Sequence, residues 1–504
     1  MSDASAKPRY SGGYKGLVLS LLVLAYTLNF IDRTIIATIG QAIKVDLKLD
    51  DAQLGLLGGF SFAVLYTVLG IPIARLAERW NRVSIISLAL VVWSGFTALC
   101  GGAGSFVQLL ALRVGVGVGE AGLSPAAQSL ISDYYEPKKR ASALGVYAFG
   151  IPLGTMIGSA LGGWLAQTYG WRIAFVVVGA PGLLMALALK LIVREPPRGH
   201  SDPAEKPLSP EEVTAAAPQS GVGYELRELG SVVASLFLKW PILNMVLGVT
   251  LASFAGYGAG QFANPYFVRA FGLNYATVGL IFGVIGGFSS GLGTLAGGLV
   301  SDWASKRNAA WYSLTPAIGL AIATPIYLFA YTRPDWKTAA MVLLVPGIFH
   351  YTYLGPTFGV VQNVVETRRR ATATAVLFFF LNFIALGGGP WFTGWLIDTL
   401  AQYGFTHPGV NGPVDAMMGL FQGNGGVAPG AAHFKSLCPG GAAAHGAPAA
   451  LAAQCKSTLV VATRSGILVT ILFYAWAAFH YVLGSMGLAK ELARVQAART
   501  AREA

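Results

Sequence analysis

The sequence predicts an all-α membrane protein of twelve transmembrane helices arranged as two six-helix bundles. Three observations carry this. The 504 residues are 54% hydrophobic and only 12% charged, about half the charge of a soluble domain. Apolar runs of about 18 residues or more recur along the chain, each long enough to cross a bilayer. A local signal found after the second run returns after the eighth, at the same place in a second half.

Taken in order, the spans fall near 15–40, 52–75, 83–104, 106–132, 140–167, 172–194, 240–269, 275–301, 309–331, 338–365, 371–400 and 458–487. The first follows Lys7, Arg9 and Lys15. It is long and has no small-x-small site after it, so it is expected to be a membrane span and not a cleaved signal peptide. Sixty-four glycines suit helices that pack closely in lipid. An even number of spans puts both termini on one side. Roughly 23 of the 35 Lys and Arg fall on that side, which predicts cytoplasmic termini.

Three parts follow: a first bundle over 1–194, a cytoplasmic linker with an amphipathic surface helix over 195–239, and a second bundle over 240–504. The linker is rich in Pro, Glu, Ser and Ala to residue 223, and Tyr224–Lys239 is amphipathic. The second bundle carries a long outer loop, 401–457, rich in Gly, Ala and Pro. Cys438 and Cys455 lie in that loop, where the compartment permits a disulfide; two free thiols are the alternative. Cys100 reads as a small apolar packing residue.

The repeated signal is the loop after spans two and eight. The first reads Ala74 to Arg82 with Glu78, Arg79 and Arg82; the second reads Gly298 to Arg307 with Asp302, Lys306 and Arg307. A small residue, a carboxylate four later and then basic residues let the carboxylate hold a neighbouring helix. These loops resemble the signature of the major facilitator superfamily, the first departing from it at Ala74, Glu78 and Asn81. Asn29-Phe-Ile-Asp32-Arg33, Arg113 through Glu120-Ala, Ile131-Ser-Asp133 and Ile151-Pro-Leu-Gly154 narrow the resemblance to the spinster family. Gln362-Asn363 through Arg370-Ala371 and Gly387–Asp398 fit it more weakly. The Asn-x-x-Asp-Arg and Gly-Glu-Ala pieces also resemble the organic-anion symporter branch. The resemblance implies a secondary transporter working by alternating access, with lysolipids or sphingoid phosphates as substrates.

Ionisable groups inside spans are few and rarely face lipid. Asp32 and Arg113 both lie about 8 residues, or ~12 Å, from the outer face, so they are expected to pair. Glu120 is seven residues beyond Arg113, on the same helical face and roughly 10 Å deeper. Two readings stand. The pair is a static clamp on helix packing, or Asp32 takes up a proton and releases Arg113, coupling a proton gradient to the conformational switch. In the second reading Arg113 and Glu120 contact a polar headgroup, since guanidinium suits phosphate or carboxylate. Arg33, one residue on from Asp32, points elsewhere.

The second half carries hardly any intramembrane charge. Tyr257 and Asn264 in span seven, with Pro265 loosening that helix, His350 and Tyr353 in span ten, and Phe379 and Asn382 in span eleven are the candidate substrate contacts there. A lone His is more often a satisfied structural group than a relay. One charged half facing one apolar half suits an amphiphile.

A symporter or antiporter of small organic anions or drugs on the same fold is the nearest rival and would use the same Arg113. A lipid-modifying membrane enzyme needs a nucleophile–base pair or a metal cluster, and the six scattered His offer neither. A receptor or scaffold without transport would leave the duplicated loops unexplained. The expected partners are the bilayer, protons and a small amphipathic or anionic substrate. No cofactor, metal or nucleic acid is expected, and the chain is expected to work as a monomer. With no N-x-S/T sequon, the expected location is a bacterial inner membrane.

Overall fold

The computed structural model describes residues 10–198, 200–201, 222–364, 370–407 and 433–503. Among them twelve helices are long and apolar enough to cross a membrane. They are spans 1 to 12: Gly12–Leu47, Asp51–Gly70, Arg82–Cys100, Phe106–Tyr134, Ser142–Tyr169, Trp171–Ile192, Trp240–Phe271, Tyr275–Ser305, Trp311–Tyr331, Trp336–Val361, Val376–Thr406 and Ala449–Ser485. Much of the expected linker (202–221) and outer loop (408–432), with Gln362 and Arg370-Ala371 as side chains, lies outside the described residues.

Span starts are set by short polar caps. Asn81, Ser105, Asn274 and Asp335 each accept a hydrogen bond from the backbone amide three residues on, which satisfies one of the orphan donors of the first turn. Asp335 is exposed to solvent, and the Thr338 amide holds its carboxyl below the usual carboxylate range.

Several spans are broken along their length. Span 2 breaks at Gly59, span 4 at Ala121–Gly122 and span 5 at Phe149. Span 10 passes through a 3₁₀ turn, Tyr351–Tyr353, between Pro346 and Pro356, and span 11 is π-helical over Leu381–Gly388. Such wide or tight turns gather at functional sites. Span 7 behaves otherwise than expected: Pro265 sits inside an unbroken helix, Trp240–Phe271. Its neighbours Tyr266 and Phe267 are buried against Tyr331 and Phe282, and that packing holds the helix through the missing amide.

The amphipathic stretch forms a helix, Val222–Phe237, which packs inward as well as along the surface. Val232 and Leu236 are buried, and Phe237 meets Phe380 of span 11 at 4.9 Å. A last helix, Leu488–Glu503, which sequence reading did not foresee, docks at the start of span 7 through a Lys239–Glu491 ion pair of 2.7 Å.

Both described termini lie at one end of the molecule, here the terminal end. The halves close on each other at the opposite, remote end, along two seams. Gly55 of span 2 lies against Pro390 and Trp391 of span 11, and Gly279 and Gly283 of span 8 lie against Gly163, Ser159 and Met156 of span 5. Small residues permit this backbone approach. A Cβ on Gly279 would stand 3.1 Å from the Gly163 Cα. Gly279→Val is therefore expected to pry the remote end open. Overpacking of about 1–3 kcal/mol would shift the closed-to-open ratio by roughly tenfold. Spin-label distances between Tyr169 and Lys456, at the remote ends of the two halves, check it; an unchanged distribution would refute the seam.

Candidate functional site

The first half holds a buried polar cluster at mid-depth, built by spans 1, 3 and 4. Asp32 and Asn29 come from span 1, Trp93 and Thr97 from span 3, and Arg113 and Glu120 from span 4. Asp32, Arg113, Glu120 and Asn29 are each 1–2% exposed. The glycines of span 4 make room: Gly115 and Gly119 lie directly against Phe96 and Trp93 of span 3.

The ion pairing differs from the sequence expectation. The Asp32 carboxylate does not form its expected pair with Arg113. One Arg113 amine instead lies 3.4 Å from the Asp32 backbone carbonyl, and the Asp32 Oδ1 has no hydrogen-bond partner. Glu120 pairs with Arg33 at 2.7 Å, although Arg33 was expected to point away. The reason is helical geometry. Side chains one residue apart diverge by about 100°, which carries Arg33 round to the Glu120 side of span 4 while Asp32 turns towards span 3. The Arg33 guanidinium stands over Phe62 and Tyr66 of span 2, 4.6 and 4.8 Å from their centroids, and 5.2 Å from Phe30. These rings add cation–π attraction. Arg33 is the cation of this cluster that meets open space, its side chain 23% exposed.

Unpaired buried polar atoms concentrate here. Asn29 Nδ2 and Oδ1, Asp32 Oδ1, Trp93 Nε1, Thr97 Oγ1, Arg113 Nε and Glu120 Oε1 make no well-formed hydrogen bond, although Trp93 and Thr97 face Asp32 and Asn29 faces Glu120. Buried polar groups are normally satisfied, so such a cluster is the mark of a site that bonds to something in its working cycle.

The second half faces this cluster with aromatic side chains that are not wholly apolar. Tyr257 of span 7 is 45% exposed and within electrostatic reach of Arg33 and Tyr66. Behind it His350 is buried among Tyr351, Tyr353, Tyr474 and Tyr327, with hydrogen bonds of 3.2 Å to the Tyr327 hydroxyl and 3.3 Å to that of Tyr474. The Tyr353 hydroxyl bonds to Ser253 at 3.0 Å. The expected apolar wall thus contains a hydroxyl-rich core. Phe379, 41% exposed, stacks on Phe383, which continues to Phe60 of the first half. Asn382 lies half-buried on the π-helical segment. Asn264 is buried one turn beyond Gln261, towards the remote end and away from the tyrosine group.

The two repeated loops differ. Arg82 is fully buried and bonds to Asp133, to Glu195 at 2.6 Å, and to the Ser129 and Pro196 carbonyls at 3.1 and 3.0 Å, tying the first-half spans together at the terminal end. The Glu78 and Arg79 side chains lie outside the described residues. In the second loop Asp302 accepts from Tyr312 at 3.3 Å, Arg307 covers the Trp303 ring and Lys306 is exposed.

Sequence reading missed a second cluster, at the remote end between the halves. Asp51 of span 2, wholly buried, accepts from Lys44 of span 1 at 2.6 Å and, with both oxygens, from Arg269 of span 7 at 2.6 and 3.2 Å. Arg269 also donates to Gln41 and Thr463, each at 2.7 Å. Asp398 of span 11 accepts from the Asp51 and Ala52 amides at 3.0 and 2.8 Å, capping span 2 from the other half. The available signal was polar: Lys44 and Asp51 fall just outside the expected spans 1 and 2, and Arg269 and Asp398 fall at the ends of the expected spans 7 and 11, where charges are ordinarily solvated.

Two bundles of broken helices, a polar cluster in one and a lock across their remote ends define a secondary transporter. The chain belongs to the Major Facilitator Superfamily, whose sequence model matches residues 22–390. A bacterial homologue of the human lysosomal transporter Spinster, solved in an inward-facing, unoccupied conformation, superposes with a TM-score of 0.78 at 35% identity, over 96% of this chain and 99% of that one. An MFS-type efflux pump of Mycolicibacterium smegmatis is 31% identical over 384 residues, 76% of this chain and 85% of the pump. The hexuronate transporter of Bacillus subtilis is 27% identical over 391 residues, 77% and 89% of the two chains.

Proposed function

We propose that this chain moves a lipid-like amphiphile, a lysophospholipid or sphingoid phosphate, by proton-coupled alternating access. The observation that carries the reading is the buried Asp32–Arg113–Glu120–Arg33 cluster, placed opposite an aromatic face. Arg33, held by Glu120, meets the polar headgroup, with Arg113 behind it. The rings of Phe379, Phe383 and Tyr257 meet the chain of the amphiphile. Asp32 is the proton site, because its buried carboxylate lies near Arg113, Thr97 and Trp93 without a close ion pair, and its Oδ1 makes no hydrogen bond. The likeness to an inward-facing spinster homologue supports the geometry. With the remote end taken as the outer one, as the basic loops require, the closed remote seams make this chain inward-facing in an inner membrane, with cytoplasmic termini. The two bundles are 1–194 and 240–504, joined by 195–239.

The test is flux of a labelled lysophospholipid in reconstituted vesicles with and without a pH gradient. Wild-type flux is expected to rise with the gradient, and Asp32→Asn is expected to lose that rise while keeping the fold. Full gradient dependence in Asp32→Asn would remove the coupling role.

The hydroxyl-rich core around His350 favours a second reading, transport of small organic anions, as in the hexuronate transporter. Flux of labelled hexuronate that a lysolipid does not inhibit would select it.

A further inference from the structure

The remote lock has a component that the two bundles alone do not supply. Beyond span 11 the chain returns as a short helix, Phe434–Leu437, and a 3₁₀ turn, Pro439–Gly441, before entering span 12. This piece is fastened to the second half in three ways. The Phe434 amide donates to Gln402 at 2.7 Å, the Phe434 ring meets Phe405 at 5.5 Å, and Cys438 is joined by a disulfide to Cys455 at the start of span 12.

Its other face rests on the first half. Gly440, at φ +68°, lies so close to the end of span 1 that a Cβ there would stand 3.1 Å from the Lys44 carbonyl. Lys435 reaches Asp50 at 2.8 Å and stands 3.9 Å from Asp398. Asp50 is the N-cap of span 2: its Oδ1 accepts from Gln53, and its Oδ2 takes Lys435. Lys435 therefore sits between the two carboxylates that hold the start of span 2, one from each half. With it the lock is balanced: Lys44, Arg269 and Lys435 against Asp50, Asp51 and Asp398. Burial works against the charge of Lys435, but the Asp50 hydrogen bond and the Asp398 and Asp51 charges outweigh it and raise its pKa.

We propose that this stapled segment is a clasp, and that Lys435 is a positioning residue of the transport cycle. The clasp moves with the second half, grips the remote ends of spans 1 and 2, and must let go whenever the remote side opens. It rests on the alternating-access reading. Lys435 is 58% exposed, so its grip is modest, and the staple matters because it aims the cation.

The experiment is hydrogen–deuterium exchange of the full chain in lipid nanodiscs, with flux kinetics beside it. Lys435→Ala is expected to speed exchange over residues 44–54 and 394–402 by about two- to fivefold, leaving the Asp32 region unchanged. The maximal flux should change while substrate affinity stays constant. Lys435→Arg should restore both, and Cys438→Ser with Cys455→Ser should speed the same segments further. Wild-type exchange in both Lys435→Ala and the double Cys variant, or faster exchange spread over the whole chain, overturns the clasp. Asp51→Asn separates the two levels. If it opens the remote end and Lys435→Ala does not, the clasp alone fails; if neither does, the alternating reading of this end fails with it.

Discussion

Asp51→Asn is expected to release the remote end and leave the transporter resting with that side open. Asp51 is the one residue of the lock that meets two cations, Lys44 and Arg269, and its own side chain is fully buried. Asparagine keeps the shape but removes the charge. Lys44 and Arg269 would then face each other in a dry interior with only Asp398 nearby. Removing one partner of a buried pair costs about 3–5 kcal/mol, because the charge left behind is uncompensated. Opening relieves this at once, since both cations then reach water. At about 1.4 kcal/mol per tenfold, the closed-to-open ratio should fall on the order of a hundredfold or more. Spin labels at Tyr169 and Lys456 should show the longer distance dominating. A distribution unchanged from wild type would mean that the glycine seams, and not the ion network, hold the end shut. Arg269→Ala removes the bidentate partner of Asp51 and should move the distances the same way.

The helices of this fold were legible because lipid imposes them. A bilayer requires every backbone polar group to be bonded within its own segment, so long apolar runs announce spans. The same logic marked Asp32, Arg113 and Glu120, charges too costly to be accidental. What depth along a helix does not reveal is azimuth. Asp32 and Arg113 lie close together as expected, but the direction of each side chain decided the pairing, and Arg33 took Glu120. The lock was illegible for a different reason. Lys44, Asp51, Arg269 and Asp398 lie near span ends, where charges are ordinarily solvated, and only the meeting of the two halves turns them into interior groups. Pro265 shows the limit of local rules as well: proline removes one backbone hydrogen bond, and the packing of Tyr266 and Phe267 outweighs the loss.

Arg33, not Arg113, is expected to carry substrate affinity. Arg113 is 1% exposed and spends its contact on the Asp32 backbone carbonyl. Arg33 is held in place by Glu120 on one edge and by the rings of Phe62 and Tyr66 on its face, and it still opens to the space between the halves. A fixed guanidinium loses little freedom when it binds a phosphate or carboxylate. Arg33→Ala removes that contact and also leaves Glu120, with no exposed side-chain surface, buried without its partner. Truncating one member of a charge pair across a binding interface, here Arg33 and the headgroup anion, costs about 2–5 kcal/mol of affinity. Binding of a sphingoid phosphate should therefore weaken on the order of a hundredfold, with Arg33→Lys intermediate because it keeps the charge and loses the planar stack. Arg113→Ala should act differently: it frees the Asp32 segment of span 1, lowering thermal stability and maximal flux with little change in affinity. Equilibrium binding and thermal unfolding of both variants in detergent separate the roles. If Arg113→Ala weakened binding more than Arg33→Ala while both stayed folded, the headgroup would belong to the deeper arginine, and the exposed one would be a brace for Glu120.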